Sequence, residues 1–210
     1  MKSLRRLASL FKPNVPAAPG ERPARPPLLG VENLEARDVP ATFTVSNLSD
    51  AGAGSLRAAL ASANGTPGAD TVTFAAGLTG TIVLTTGELA ITDGVSVVGP
   101  GAGQLTVSGN NASRIFSVNT AVTQDDVLVS GLTLANGRAV DTDAVAGNRN
   151  GTDGGALYNV NADLTVQNCV ITGNRSVDGD GGGVASGTYG RLLIQGTVFS
   201  NNLASTSGGA

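Results

Sequence analysis

A segment of twelve residues occurs three times in this chain, and it constrains the fold more than any other feature. Its copies are DVLVSGLTLANG at Asp126–Gly137, DLTVQNCVITGN at Asp163–Asn174 and RLLIQGTVFSNN at Arg191–Asn202. The first residues of the copies are separated by 37 and then by 28 positions. Self-similarity at a period of roughly 20–50 residues is typical of solenoids, propellers and repeat arrays. The chain is therefore expected to use one short structural unit several times.

The apolar positions within the repeat predict where each copy turns. Leu164 and Val166 alternate as inward-facing strand residues do, but Cys169 and Ile171 continue the pattern only after an odd step. A bend must therefore lie at Gln167-Asn168, where the three copies carry Asn or Gly, residues that tolerate positive φ. The Asn and Gly residues that close each copy suit a second corner, at which stacked Asn side chains can share hydrogen bonds.

The repeats predict a parallel β-helix. Equivalent residues can stack only if each repeat returns the chain to the same edge, about 4.8 Å further along an axis. Strands earlier in the chain follow one another at a spacing that a β-sandwich or barrel shares, and the later repeats decide between these folds. A second motif, seen as GGAL at 154–157, GGGV at 181–184 and GGA at 208–210, alternates with the first. At about 22–28 residues per coil, residues 71–210 would form about five or six coils.

The chain divides into a leader, a cap and a coil region. Residues 1–41 contain 7 of the 9 prolines, which predicts a basic, extended and disordered leader. Residues 42–70 contain a first strand and a short helix at Ser55–Ala63, with Ser55 as N-cap and with Leu56, Ala59, Leu60 and Ala63 on one face. We expect this helix to cover the open apolar end of the first coil. Residues 71–210 form the predicted coils.

Charge and composition exclude some classes of protein. The net charge is −3, divided into +3 for residues 1–40 and −6 for residues 41–210. An acidic body argues against a nucleic-acid partner, because binding to phosphate backbones needs a basic face, and it permits divalent cations. No segment has the length of apolar sequence that a membrane-spanning helix needs. The single cysteine, Cys169, excludes an intramolecular disulfide and aligns with apolar or small residues of the repeat, so we expect it to be buried.

Two parts of the chain resemble bacterial surface proteins. LEARDVPA at Leu34–Ala41 resembles the LE-x-R-x-x-P element near the start of many large planctomycete surface and exported proteins. Residues 42–210 resemble the β-helix region of choice-of-anchor and CSLREA-type surface proteins. GGAL (154–157) and FSNN (199–202) match the paired GGA-[ILV] and FxxN elements of the chlamydial polymorphic outer-membrane protein repeat. The resemblance implies an all-β, right-handed parallel β-helix, of which this chain is expected to be a fragment.

The resemblance also carries an expectation about function. It implies a non-catalytic bacterial protein that is secreted or displayed at the cell surface, where it acts as a stalk or as an adhesion surface. Its partners would be cell-surface components or polysaccharide, and we expect a monomer. The alternative is a pectate-lyase-like enzyme, a polysaccharide lyase or glycoside hydrolase, because the same fold hosts such enzymes.

Two acidic loops are candidate Ca²⁺ sites. The candidate ligands are Asp141, Asp143 and Asp153 around the first loop, and Asp178 and Asp180 in the DGDGGG sequence of the second. Oxygen-rich loops with Gly at sharp turns suit Ca²⁺, which takes about 6–8 oxygen ligands. The first loop lacks a Glu at the twelfth position and is not an EF-hand. The alternative is that these side chains are solvated residues of ordinary turns.

Few residues of the chain suit catalysis. It contains no His, which removes Ser-His and Cys-His mechanisms, and the body's only cations are arginines, which are poor general bases. Glycoside hydrolysis needs two carboxylates about 5–10 Å apart, and Asp153 with Asp178 or Asp180 is the one conceivable pair. Tyr158 and Tyr189 are the aromatic residues available for stacking on sugar rings. The sequence therefore assigns no catalytic residue.

Overall fold

The computed structural model of the chain describes residues 39–140 and 152–209, which contain 18 strands and one helix. The first elements in chain order are β1 (Thr42–Val45), α1 (Leu56–Ala63), β2 (Asp70–Phe74), β3 (Gly80–Val83), β4 (Leu89–Ile91), β5 (Val95–Val98), β6 (Leu105–Ser108) and β7 (Phe116–Val118). The remaining elements are β8 (Asp126–Ser130), β9 (Thr133–Ala135), β10 (Arg138–Ala139), β11 (Leu157–Asn159), β12 (Asp163–Gln167), β13 (Val170–Thr172), β14 (Arg175–Ser176), β15 (Val184–Ser186), β16 (Arg191–Gln195), β17 (Val198–Ser200) and β18 (Leu203–Ala204).

Every strand pairing in the described residues is parallel, and the strands form four sheets that run along the axis of a solenoid. Sheet A has the order β1-β2-β5-β8-β12-β16, and sheet B has the order β17-β13-β9-β6-β3. Sheet C has the order β15-β11-β7-β4, and sheet D contains β10-β14-β18. Strands β1 and β2, which helix α1 separates, both belong to sheet A. From β2 onward, consecutive strands belong to different sheets, and the chain returns to sheet A after each coil, while sheet D begins only at β10. The predicted parallel β-helix is confirmed, with about five turns.

The register of the strands is the one that the repeat predicts. Asp126, Asp163 and Arg191, the first residues of the three copies, are direct partners in sheet A. One inward column of sheet B contains Ile82, Val107, Leu134, Ile171 and Phe199. The first four of these side chains are completely buried, and Phe199 packs against the core from the last coil. Burial of such stacked aliphatic side chains is the main favourable term in folding.

The corners of the repeat have the backbone conformation that its Asn and Gly residues predict. Asn168, Gly131 and Gly196 are equivalent residues with φ between 52° and 63°. Near the second corner, Asn174 is 1% exposed and connects three coils. Its Oδ1 accepts from the backbone N–H of Gly137 at 2.7 Å, and its Nδ2 donates to Oδ1 of Asn202 at 2.9 Å. The predicted sharing of hydrogen bonds by stacked Asn side chains is therefore present.

The GG pairs of the second motif form a further stacked corner. Gly154 and Gly181, the first residues of two pairs, have φ of +64° and +62°. The second residue of a pair lies where successive backbones approach closely, because a Cβ at Gly155 would come within 2.3 Å of the carbonyl oxygen of Gly182. The backbone N–H of Gly155 donates to Gly181 O at 3.2 Å. The GG motif therefore has a structural role, because it allows the positive φ and the close backbone approach that this corner of the coil requires.

The coils differ in length, and two of them exceed the predicted 22–28 residues. The register pairs Asp70 with Val95, Val95 with Val127, Asp126 with Asp163 and Asp163 with Arg191, which are spacings of 25, 32, 37 and 28 residues. The additional residues of the longest coil lie between β10 and β11. The estimate from the repeats was wrong for these two coils because connections outside the strands accept insertions without disturbing the ladder.

Helix α1 covers the first coil as predicted. Ser55 has extended backbone angles, and its Oγ accepts from the backbone N–H of Ala58 at 3.2 Å. Leu56, Ala59, Leu60 and Ala63 are its buried residues. Asn64 attaches the helix end to β4, since its Nδ2 donates to Ala90 O and its Oδ1 accepts from the N–H of Thr92, both at 2.9 Å. In the part of the chain that the structure describes, no helix is long and apolar enough to cross a membrane.

Candidate functional site

A groove of about 530 Å³ lies on the outer face of sheet C. The strands of this sheet turn alternate side chains to the core, so Phe116 and Val118 of β7 are buried while Ser117 faces the groove. The groove is lined by polar and aromatic side chains that include Glu88, Ser113, Arg114, Ser117, Arg138 and Tyr158. Its volume lies within the range of roughly 300–1,000 Å³ that is usual for ligand pockets.

Arg114 is the central residue of the groove, and it connects three coils. Its side chain is 6% exposed, and Nη1 donates to Oε2 of Glu88 at 3.0 Å on the preceding coil. Nε donates to the carbonyl oxygens of Asp153 and Gly154, each at 3.1 Å, on the following coil. Cζ lies 5.2 Å from the centroid of the Tyr158 ring. A planar guanidinium can make these directional bonds and the ring contact simultaneously, which a lysine cannot.

Burial and neighbouring charges determine the protonation of Arg114 and Tyr158. Burial lowers the pKa of Arg114, and the carboxylate of Glu88 opposes this shift, so the guanidinium stays charged at neutral pH. Burial raises the pKa of Tyr158, and Asp153 adds to the increase while Arg114 opposes it. Tyr158 is therefore a neutral phenol at pH 7, able to donate a hydrogen bond but unsuited to accept a proton as a base.

The groove also contains polar groups that have no internal partner within residues 39–140 and 152–209. The Oγ of Ser113 is buried and has no hydrogen-bond partner. Arg138 follows on the next coil, where its backbone N–H donates to Ser113 O at 2.9 Å. Its exposed side chain makes no ion pair within the described residues. Buried polar atoms without partners are rare in native proteins and call for an explanation.

Of the predicted Ca²⁺ ligands, Asp153, Asp178 and Asp180 are not among the residues that line the groove, although the backbone carbonyl of Asp153 accepts a hydrogen bond from Arg114. Asp141 and Asp143 lie outside the described residues. Asp153 and Asp180 meet across adjacent coils, where Oδ1 of Asp153 accepts from the N–H of Asp180 at 2.7 Å and Oδ1 of Asp180 accepts from the hydroxyl of Thr206. Asp178 is exposed with φ of 65°.

These contacts bear on the metal hypothesis. Two carboxylate oxygens already accept hydrogen bonds from the protein. In residues 39–140 and 152–209, no three acidic, His or Cys side chains are grouped as metal ligands. Because the predicted set includes two residues outside this range, Ca²⁺ binding stays a prediction.

The arrangement in the groove suits recognition. In the described lining, Glu88 is the one carboxylate, and it is paired with Arg114. Glycoside hydrolysis uses two carboxylates about 5–10 Å apart, and the conceivable pair of Asp153 with Asp178 or Asp180 is not part of this lining. Cationic, hydroxyl and aromatic groups facing one groove instead provide hydrogen-bond donors and a ring surface.

Sequence reasoning missed this cluster. Glu88, Arg114 and Tyr158 are far apart in the chain and meet because the intervening coils, of unequal length, bring them to one face. A signal was present, since Glu88 and Arg114 each precede the inward residues of a short strand. Without the coil lengths, however, that signal does not identify them as neighbours.

The fold defines the chain as a parallel β-helix protein. The chain matches no protein-family model, and it has no significant match to a curated protein.

Proposed function

We propose that this protein is a structural β-helix of an exported or cell-surface bacterial protein, serving as a stalk or adhesion surface. The observation that supports the proposal most directly is the continuity of its ladders from coil to coil. Inside, fully buried aliphatic columns run along the axis. Outside, Gln167 pairs with Gln195 at 3.2 Å and Thr172 with Ser200 at 2.9 Å, each between side chains of adjacent coils. Such a rod projects a regular face away from its point of attachment.

The export part of the proposal depends on the sequence. The basic and proline-rich residues 1–41, with their LE-x-R-x-x-P element, resemble the start of exported planctomycete proteins. The acidic body suits an exposed surface, because net charge keeps a protein soluble. As partners we propose cell-surface components or polysaccharide, bound by a monomeric rod.

Protease accessibility on intact cells tests this proposal. Cells of the source organism would be treated with proteinase before and after lysis, with a cytosolic enzyme as control for leakage. We expect proteinase treatment of intact cells to abolish the signal of an antibody against the coil region, or the antibody to detect the protein in the culture medium. Signal that is retained on intact cells, lost only after lysis and absent from the medium would refute export.

A carbohydrate-active β-helix is the second candidate, and the groove on sheet C is the observation that favours it. Its volume and its Arg138, Tyr158 and Glu88 side chains suit a polysaccharide segment. The purified protein would be incubated with acidic and neutral polysaccharides, with and without Ca²⁺, and new reducing ends and unsaturated products measured. Turnover that disappears in Glu88→Gln but persists in Asp126→Asn, an exposed carboxylate of sheet A, would support the enzyme. Absence of turnover on every substrate would favour the structural function.

A further inference from the structure

Two arginines of sheet D form a pair that has no anionic partner among the residues that the structure describes. Arg138 of β10 and Arg175 of β14 are direct partners in the parallel register, and both are exposed. Their Cα atoms are therefore one strand spacing apart, about 4.8 Å. Among the described residues, neither guanidinium takes part in an ion pair. Like charges directly opposite each other in neighbouring strands destabilise a sheet, so this pair has a cost that folding alone does not explain.

The backbone beneath the pair is held firmly. The N–H of Arg175 donates to Gly137 O at 2.8 Å, and the N–H of Gly137 donates to Oδ1 of Asn174 at 2.7 Å. The N–H of Arg138 donates to Ser113 O at 2.9 Å. The side chains that follow these arginines, Ala139 and Ser176, are buried, which fixes both arginines on the outer surface. A ligand would thus meet two cations whose backbone positions are already set, which reduces the entropy lost on binding.

Further groups beside the pair suit an anionic ligand. Arg138 lines the groove together with Ser113, whose buried Oγ has no hydrogen-bond partner. The nearest opposite charge in the lining, Glu88, is neutralised by Arg114 at 3.0 Å. Residues 41–210 carry a net charge of −6, so a local excess of two cations stands out against an acidic body. Forked guanidinium groups bind oxyanions through parallel N–H···O bonds.

From these observations we propose that Arg138 and Arg175, with the hydroxyl of Ser113, form a binding site for a tetrahedral oxyanion, a sulfate or phosphate group. The two negative charges of a dianion match the two guanidinium charges, and its several oxygens can accept hydrogen bonds from both guanidinium groups. A single carboxylate offers one negative charge and is expected to bind more weakly. The oxyanion can be free or can be an ester on a hydroxyl-bearing ligand whose remainder occupies the groove. This inference is independent of the function proposed above.

Titration followed by nuclear magnetic resonance tests the site. Sodium sulfate, sodium phosphate and sodium acetate would be added to isotope-labelled protein at constant ionic strength, and the Arg Nε–H and backbone signals recorded. We expect saturable shifts at Arg138 and Arg175 with sulfate and phosphate, with a Kd on the order of 1 mM. Acetate should bind at least about tenfold more weakly. Equal responses to the three salts would refute a site for a dianion.

Substitutions separate the site from general surface charge. Arg138→Gln and Arg175→Gln should each weaken sulfate binding about tenfold or more. The matched control is Arg191→Gln, because Arg191 is an exposed arginine of another sheet, at 74%, whose guanidinium lies 3.5 Å from Asp163. Removing one of two facing cations should leave the melting temperature unchanged or raised, so loss of binding will not reflect unfolding. Equal weakening by all three substitutions would refute the site.

The source of the oxyanion is distinguished by a second ligand and a third variant. A sulfated disaccharide that binds more tightly than inorganic sulfate, and that also shifts Ser117 and Asn119 of the groove, would identify an ester. Equal affinities would identify the free ion, which the same two arginines hold. Ser113→Ala should weaken binding of either ligand without destabilising the fold, because this Oγ has no partner to lose. Unaltered affinity in that variant would remove Ser113 from the proposed site.

Discussion

Replacing Asp50 with alanine should weaken the attachment of the capping helix to the first coil and so destabilise the protein. One carboxylate oxygen of Asp50 accepts from Nε and Nη2 of Arg57 at 3.1 and 2.7 Å. The other accepts from the backbone N–H groups of Thr85 and Thr86 at 2.9 and 2.8 Å, and from both of their hydroxyls. Arg57 continues the connection by donating from Nη2 to Gly87 O and from Nη1 to Glu88 O, both at 2.7 Å. One carboxylate therefore holds the helix segment and the first coil together.

The magnitude follows from burial. The Asp50 side chain is 8% exposed and that of Arg57 is 26% exposed. Removing one partner of a buried ion pair costs about 3–5 kcal/mol, because the remaining charge loses its compensation. The partial exposure of Arg57 favours the lower end, about 3 kcal/mol. For a chain of this size each kcal/mol lowers the melting temperature by about 2–4 °C, so a decrease of about 6–12 °C is expected.

The pH dependence has a definite sign. Burial alone would raise the pKa of Asp50, but the hydrogen bonds from Thr85, Arg57 and Thr86 hold it well below its usual range. A carboxyl with a depressed native pKa contributes stability above its unfolded value, about 3.9, and this contribution is lost as the pH falls toward the native value. The difference in stability between wild type and Asp50→Ala should therefore be full at pH 7 and decrease below about pH 4.

Thermal unfolding followed by circular dichroism at pH 7 and at pH 3 measures both effects. Asp126→Ala is the control, because Asp126 is an exposed carboxylate whose side chain makes no hydrogen bond or ion pair in the structure. If Asp50→Ala melts within about 2 °C of wild type, or no lower than the control, the capping contact does not stabilise the protein as reasoned here.

Three further predictions concern the coils. Gly155→Ala should lower the free energy of unfolding in urea by about 1–3 kcal/mol, because the new Cβ would lie 2.3 Å from the carbonyl oxygen of Gly182. The control is Gly103→Ala, which has nothing within 4 Å of the new Cβ and should be neutral or slightly stabilising. Equal effects of the two substitutions would refute the close approach at Gly155. Asn174→Ala should cost about 3 kcal/mol in the same assay, because a buried N–H and C=O lose their partner, and a loss below about 1 kcal/mol would contradict that reasoning. Cys169 is 1% exposed, and burial raises the pKa of its thiol. A thiol reagent should therefore label Cys169 on the order of 10³-fold more slowly in the native protein than in the urea-unfolded protein. Comparable labelling rates would contradict the burial of this residue.

The sequence predicts the interior of this fold well because the interior is repetitive. Leu164, Val166, Cys169 and Ile171 are all at most 1% exposed, as their spacing predicts. The odd step between Val166 and Cys169 is explained by Asn168 with φ of 52°. Side chains that stack in columns must be similar in size and polarity from one coil to the next, so the pattern is visible in the sequence itself.

The outer surface could not be predicted in the same way. The contact between Arg114 and Glu88 depends on the number of residues in each coil, and the coils have 25, 32, 37 and 28. Long side chains such as that of Arg114 also reach several neighbouring residues, and only packing selects among them. The pairing of Arg138 with Arg175 could have been predicted from the sequence, because the two residues occupy equivalent positions after the LANG and ITGN corners.

This contrast between interior and surface indicates where a β-helix can acquire function. A substitution in an inward column affects the coils on either side, whereas an insertion in a connection leaves the ladder intact, as the 37-residue spacing between Asp126 and Asp163 demonstrates. Binding groups are therefore expected beside the connections of the longer coils. The groove on sheet C lies there, with Asn119 just after β7 and Arg138 in β10, immediately before the longest connection. Shortening that connection to the length found in the next coil should preserve the core while altering the groove, which separates the requirements of folding from those of binding.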